Sequence, residues 1–472
     1  MAITRRDFLR TSACAVGSMA LASSIDTFSV VHALTPQAAS DYKALVCVFL
    51  NGGNDGNNMF VSLDQYDGPV GSLTTGYSNV RAAAGLAIAQ ASLLPVSPVS
   101  GGSYGFHPNM PEMQTLFNQG KLAVLCNNGP LVEPLTRTTY QNGTGKKPLQ
   151  LFSHSDQVGL FQTAIANSVS QTGWGGRLAD KTQGLNGSAT FPSNISIAGI
   201  NLLLSGVDTR QLAVADSNTS LANVLQLNAA PTTAEQTPRF ASFNELRTLD
   251  NNFKLVKAAS DTRSSSLQTD DALSSVNPTL TTVFPNTTLG RQLKQVALLI
   301  KASTDATAGI NMKRQIFFTQ LGGFDTHSAE IGGQGGLLTQ VSQAINAFYA
   351  ATVELGVQDK VTTFTMSDFG RTLQPAGTGV NAVGTDHAWG NHQLIVGGSV
   401  LGHTLYGTYP TLALGGPDDT DGSSPRGRWI PTTSVEQYAA TLATWYGLSS
   451  ADLPAVFPLI DRFATANLGF LA

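Results

Sequence analysis

The chain has 472 residues, with 27 Lys and Arg against 31 Asp and Glu, a formal charge of −4 and only 12% charged residues. That is about half the charged fraction of an ordinary soluble protein, and without a basic excess there is no broad nucleic-acid-binding surface. Hydrophobic residues at 42% supply a sizeable core; 47 glycines and 21 prolines imply many tight turns, and neither a coiled-coil nor a collagen period is present.

The first segment reads as an address. Arg5-Arg6-Asp7-Phe8-Leu9 is followed by a weakly apolar stretch from Ala13 to Val31 and a small-residue exit at His32-Ala33. A basic start, an apolar centre and such an exit describe an export signal. The paired arginines resemble a twin-arginine signal, which implies the twin-arginine export machinery as a partner. The apolar run holds Ser, Thr and Asp26 and falls short of a clean span. Residues 1–33 are therefore expected to be removed, leaving a periplasmic or extracellular chain from Leu34 with no stable membrane span. Cys14 lies in the signal. Cys47 and Cys126 lie in apolar runs without metal or CxxC spacing, which leaves a disulfide or two buried thiols open.

Lys43 to Leu50 is a nearly continuous apolar run that stops at a glycine-rich loop, the pattern of a buried parallel strand. A short helix is predicted over Met110 to Asn118 and a strand over Leu122 to Cys126. A helix is predicted over Val158 to Val169 and a strand over Ile195 to Ala198. Pro231 to Pro285 is polar and reads as a helical insertion with a loop around Ser264 to Val276. Arg291 to Ser303 is helical by period. A strand at Gln315 to Leu321, a helix at Thr339 to Leu355, strands at Val361 to Met366 and Gln393 to Val396, and a helix at Glu436 to Tyr446 complete the series. Alternating strands and helices predict an α/β fold, one domain over 34–472 with a variable insertion around 229–287.

Ligands of open α/β sheets gather where strands end. Three polar clusters follow strands here: Asn51 to Asn57 with Asp55, Gly322 to His327 with Asp325 and His327, and Ser367 to Thr372 with Asp368 and Arg371. A fourth, Gly384 to His392, holds Asp386, His387 and His392 but precedes a strand. Asp and His together suit zinc or manganese better than calcium. An arginine beside a metal grips phosphate or sulfate oxygens, or forms a salt bridge with a neighbouring acid. Ser153-His154-Ser155-Asp156, before a helix, offers a serine nucleophile or a helix cap. Gly101-Gly102-Ser103-Tyr104-Gly105 matches Gly-x-Ser-x-Gly but lacks the strand-turn-helix setting, so it reads as a turn.

Several landmarks together carry a resemblance: the twin-arginine start, Gly52 to Gly56, His107-Pro108, Ser153-His154, Gly173-Trp174, Gly323 to His327, Ser367 to Thr372 and Thr385 to His387. They resemble the exported bacterial family known as domain of unknown function 1501, which is similar to the alkaline phosphatase and sulfatase superfamily. The resemblance implies a mixed, mostly parallel sheet between helices and a metal-dependent ester hydrolase site. It assigns Asp55, Asp325, His327, Asp368 and His387 to divalent metal, with Asp386 and His392 as alternates. It places Ser153 or Ser155 as nucleophile, His154 as a ligand or general acid, and Arg371 on the transferring group. Phe369 stands where the superfamily usually has a histidine, and Asp325-x-His327 replaces a longer spacing. The expected substrate is a small-molecule or polymer phosphate or sulfate ester. Two other expectations are a non-catalytic carbohydrate- or cell-surface-binding protein that keeps this fold, and a structural or assembly protein of the cell envelope.

Overall fold

A computed structural model describes residues 39–225, 233–246, 249, 252–305, 310–379 and 381–472. The export signal, Cys14 and part of the expected insertion lie outside the described residues. In chain order the strands are β1 (Lys43–Asn51), β2 (Phe60–Ser62), β3 (Leu94–Val96), β4 (Tyr104–Phe106), β5 (Leu122–Gly129), β6 (Asn194–Ser196), β7 (Gln211–Ala213), β8 (Arg314–Gly322), β9 (Val361–Ser367), β10 (Asn391–Val396), β11 (Leu405–Gly407) and β12 (Thr433–Ser434). Nine form one sheet in the order β11-β5-β10-β9-β1-β8-β6-β7, with β12 also paired to β5. Its pairings are parallel except the two made by β10. The chain is thus a mixed α/β fold with a mostly parallel sheet. The segment around Gly101 to Gly105 is a turn entering β4 of a small antiparallel sheet, β2-β4-β3.

Strand β1 shows why the sheet is buried on both faces. Ala44, Val46, Val48 and Leu50 enter one apolar cluster; Leu45, Cys47 and Phe49 enter another. The period-2 alternation of a strand sends successive side chains to opposite faces, so an unbroken apolar run needs cover on both. The helices used below are α1 (Gly56–Met59), α2 (Pro111–Asn118), α3 (His154–Thr163), α4 (Trp174–Thr182), α5 (Gln236–Leu246), α6 (Lys254–Ser274), α7 (Thr288–Thr304), α8 (Glu330–Glu354) and α9 (Val435–Tyr446). Helices α2, α7 and α8 cover the first face, and α4 and α9 the second. Cys47 and Cys126 fall in different clusters, on opposite faces, and both are free thiols, which settles the open alternative against a disulfide. Among the described residues no helix is long and apolar enough to cross a membrane.

Three helix boundaries differ from the sequence reading. Helix α8 begins at Glu330, nine residues before the predicted Thr339. Gly332, Gly333, Gly335 and Gly336 each weaken a helix by about 1 kcal/mol relative to alanine, which hid this turn. Tertiary anchoring overrides them: Gln334 Nε2 donates to Asn54 Oδ1 (3.0 Å) and to the Asp55 carbonyl (2.7 Å). Helix α3 begins at His154 and ends at Thr163, displaced towards the N-terminus from Val158 to Val169. The loop expected at Ser264 to Val276 is instead mostly the end of α6.

Candidate metal centre

The parallel register brings three loops to one level. Asn51 of β1 is aligned with Gly322 of β8, and Leu50 with Ser367 of β9. The segments that follow, Gly52 to Asp55, Gly323 to His327 and Asp368 to Arg371, therefore leave the sheet together. Gly52 has φ +117°, and a β-carbon there would strike Asp325 N; a β-carbon at Gly53 would strike the Phe369 ring. Glycine is required so that the three loops can touch. Strand β10 runs antiparallel to β9, so the segment before it lies at this same edge. That explains how Gly384 to His392, which precedes its strand, still reaches the site. Residues 370 and 388 bond backbone to backbone (Ala388 N to Gly370 O, 2.9 Å), and Arg371 bridges His387, closing the fourth segment onto the third.

Asp325 Oδ1 is the focus. It lies 3.3 Å from His154 Nε2, 3.0 Å from His327 Nε2 and 3.4 Å from His387 Nε2. His327 Nε2 and His387 Nε2 are 3.0 Å apart. Each imidazole is held from behind by its other nitrogen. His154 Nδ1 meets Asp368 Oδ2 at 2.8 Å, His327 Nδ1 meets Asp386 Oδ1 at 3.2 Å, and His387 Nδ1 meets the Phe152 carbonyl at 2.8 Å. A carbonyl only accepts, so neutral His387 carries its proton on Nδ1 and turns the Nε2 lone pair inward. Burial, with smaller contributions from His154, Arg371 and His327, holds the His387 pKa below its usual value and favours that neutral form. Asp325 is the anion: slight burial raises its pKa, but the Arg371 hydrogen bond and charge, with His327 and His154, bring it to about 2.

His154, Asp325 and His387 form a cluster able to hold a metal ion, and His327 Nε2 joins it through Asp325 and His387. The donor set suits a zinc-type ion. Ligand atoms at 2.0–2.1 Å around a tetrahedral ion stand roughly 3.3 Å apart, close to the 3.3, 3.0 and 3.4 Å between Asp325 Oδ1 and the three Nε2 atoms. His154 Nε2 is buried without a hydrogen-bond partner, as a ligand atom awaiting an ion would be. The Nδ1 acceptors are the outer carboxylates and carbonyl that fix metal-binding imidazoles. Phe369, wholly buried, walls the site with its ring centroid 4.7 Å from those of His154 and His387.

Other predicted residues take different places. Asp55 lies outside the cluster: Arg81 Nη1 reaches Asp55 Oδ2 at 2.5 Å and Arg81 Nη2 reaches Oδ1 at 3.1 Å, both side chains being fully buried. Asp55 Oδ1 also accepts from the Asn57 backbone and amide, so its ligand positions are filled. Asp368 is behind His154, with Oδ1 accepting from Gly52 N at 3.0 Å. Asp386 is likewise behind His327. His392 is buried elsewhere, accepts from Asn127 N at 3.2 Å and stacks on Tyr409; burial lowers its pKa to about 4. Arg371 cannot grip a substrate. It is fully buried, and its nitrogens donate to the carbonyls of Gly52, Gly53, Phe324 and Thr385 and to Asp325 Oδ1. It fixes Asp325 and ties three loops together. Ser153 Oγ donates to Asp156 Oδ2 at 2.6 Å and lies 3.3 Å from Ser155 Oγ; the residue between them, His154, reaches the cluster.

Sequence reasoning missed Arg426 and Arg428. Arg426 pairs with Asp386 Oδ2, and Arg428 Nε donates to the His387 carbonyl at 3.0 Å. Buried Asp419 shapes their turn by accepting four backbone N–H groups, from Gly415, Asp421, Gly427 and Arg428. The Arg-Gly-Arg triplet after an acidic loop was the available signal.

Among curated proteins, no match to the chain was found. Solved structures similar to it include Ps i-CgsB in complex with k-i-k-neocarrahexaose, 10% identical, covering 89% of this chain and 77% of that one at a TM-score of 0.33. The PsFucS1 sulfatase from Pseudoalteromonas sp. is 9% identical, with 91% and 70% covered and a TM-score of 0.31. BT1596, a 2-O GAG sulfatase, is 8% identical, with 89% and 75% covered and a TM-score of 0.34. Residues 42–420 match the family described as Protein of unknown function (DUF1501), and the chain belongs to it.

Proposed function

We propose that the chain is an exported, metal-dependent hydrolase of phosphate or sulfate esters, built on one divalent ion held by His154, Asp325, His327 and His387. The observation that carries this reading is the meeting of three imidazole Nε2 atoms on one carboxylate oxygen, each imidazole braced at Nδ1. Three nitrogens and one oxygen favour zinc, with manganese the second candidate. A bound ion supplies Lewis acidity, polarising the ester and lowering the pKa of water. The protein's own part is orientation. Asp368, Asp386 and the Phe152 carbonyl hold the imidazoles, while Arg371 fixes Asp325. The Asp55–Arg81 pair fills the place expected of a further ligand, which supports one ion rather than two. The nucleophile in this reading is water. Ser153 and Ser155 flank His154 with their hydroxyls committed to Asp156 and to each other, so they serve the turn.

The test is metal analysis of the natively purified protein, combined with a screen of phosphomonoester, phosphodiester and sulfate-ester substrates. About one zinc or manganese per chain, with turnover lost in Asp325→Asn and kept in Ser153→Ala and Ser155→Ala, is the expected result. A bound ion without turnover on any ester would favour the binding-protein reading. Absence of metal after reconstitution would remove the centre. Export is tested separately: replacing Arg5 and Arg6 with lysine should retain the precursor in the cytoplasm.

A further inference from the structure

The arginine expected to hold the substrate's oxygens is Arg371, and every side of its guanidinium is taken up inside the protein. Two other guanidinium groups stand beside the same histidines and are not used up. Arg426 pairs through Nη2 with Asp386, the acid behind His327. Among the described residues its Nε and Nη1 bond no protein atom, and its side chain is 31% exposed. Arg428 spends Nε on the His387 carbonyl and approaches Asp421 Oδ1 with Nη1 at 3.4 Å; among the described residues its Nη2 bonds no protein atom. Its Cζ lies 4.6 Å from the centroid of the Phe152 ring, and the Phe152 carbonyl is the group that holds His387 Nδ1. Both side chains are therefore fixed on one edge and open on another.

The turn that carries them is rigid for reasons visible in the sequence. Asp419 accepts from Gly427 N and Arg428 N, which closes the loop on itself. Gly427 has φ +70°, a conformation glycine tolerates, and Leu373 lies where a β-carbon would go. A preformed turn loses little entropy when it binds, and an arginine held on an aromatic face keeps its donors aimed. Lysine could not do the same, since a planar guanidinium can spend one nitrogen on the protein and still present N–H donors from another to the oxygens of an anion.

We infer that Arg426 and Arg428 form an anion-binding subsite beside the metal centre, taking a tetrahedral oxyanion, phosphate or sulfate, of the substrate. The inference rests on the ester-hydrolase reading for its substrate class, but it can be tested without turnover. The subsite reads the anionic group, while the histidine cluster holds the ion. Arg371 is left with the positioning of Asp325.

The experiment is calorimetric titration of the metal-loaded protein with inorganic phosphate and, in a second arm, inorganic sulfate. The arm that binds more tightly names the ester class. Arg426→Gln and Arg428→Gln should each weaken binding of that anion about ten-fold or more, as expected for loss of charge-assisted hydrogen bonds, with metal stoichiometry unchanged. Arg428→Lys should fall between the wild type and the glutamine variant, and it serves if the glutamine variant does not fold. Equal affinity in wild type and variants would overturn the subsite. So would binding of neither anion by a metal-loaded wild type, or loss of the metal together with the anion in the variants, which would make both arginines positioning residues alone. The same titration on chelated protein separates this inference from the metal reading. Arginine-dependent anion binding that persists there keeps the subsite even if the metal centre fails.

Discussion

Two acids leave the same edge of the sheet in neighbouring glycine loops and meet opposite surroundings. Asp55 is sealed in with Arg81, whose Nε also donates to the Leu373 carbonyl at 2.9 Å and Nη2 to the Thr372 carbonyl at 2.9 Å. Asp325 is 48% exposed at its side chain and faces three imidazole nitrogens. A buried carboxylate needs a permanent countercharge, because the desolvation cost has to be met within the fold. An accessible carboxylate ringed by lone pairs can instead share a mobile cation with them. Two acids that look alike in sequence thus separate into a structural ion pair and a candidate ligand; each touches an arginine, Arg81 or Arg371, and what separates them is that Asp55 is closed off while Asp325 stays open to the imidazoles.

The largest test of this contrast is Arg81→Met. Removing one partner of a buried pair typically costs about 3–5 kcal/mol, and denaturant unfolding of the metal-free protein should show a loss of that size. A loss under about 1 kcal/mol would mean that Asp55 is not held by Arg81 in the way described. His387→Ala should do the reverse. At a partly exposed site it should change metal-free stability by about 1 kcal/mol or less, while zinc affinity falls about a hundred-fold or more. Competition with a chromogenic chelator reads that affinity, and an unchanged value would remove His387 from the ligand set. Asp368→Asn should fall below both in effect. It leaves the ligands in place and weakens the brace on His154, so zinc affinity should drop about 10–100-fold.

The fold was legible because its signals are local. β1, β5, β8 and β9 are apolar runs with abrupt polar ends, and those ends already named three of the four loops. The convergence of His387 was harder to see, because its segment precedes a strand; only the antiparallel course of β10 brings it to the right edge, and strand direction is not written in a six-residue run. Arg81 was invisible for a similar reason. It lies on a short helix 26 residues beyond Asp55, and nothing local marks it as a partner. His154 was placed only by the resemblance, as a ligand or general acid, because its own segment offered a serine nucleophile or a helix cap. The helix begins at His154 itself, and Phe152 with φ +71° turns its carbonyl to His387 just before it. Such a backbone is uncommon for a large residue and could not be read from composition.

The smallest effect lies within the Asp55 cluster and concerns protons. Glu330, at the start of α8, is fully buried beside Asp55; its Oε2 accepts from Thr385 Oγ1 at 2.6 Å, and its Oε1 has no partner. Burial, followed by the charge of Asp55, pushes the Glu330 pKa well above its usual 4.5. Asp55 moves the other way: burial alone would raise it, but the charge and hydrogen bonds of Arg81 hold it below 3.8. The folded protein therefore keeps a proton on Glu330 that the unfolded chain has released above about pH 4.5. Stability from this group is complete below that pH and is lost as pH rises through the folded value. Asp55 contributes above about pH 3.8 and loses its contribution on acidification. Glu330→Gln mimics the protonated acid and removes only the first dependence. Urea unfolding of chelated wild type and variant between pH 5 and pH 9 should show the variant gaining on the wild type as pH rises. The histidines titrate equally in both proteins and cancel in the difference. Parallel curves would mean that Glu330 is ionised in the fold, and the cluster around Asp55 would then hold two carboxylates against one arginine.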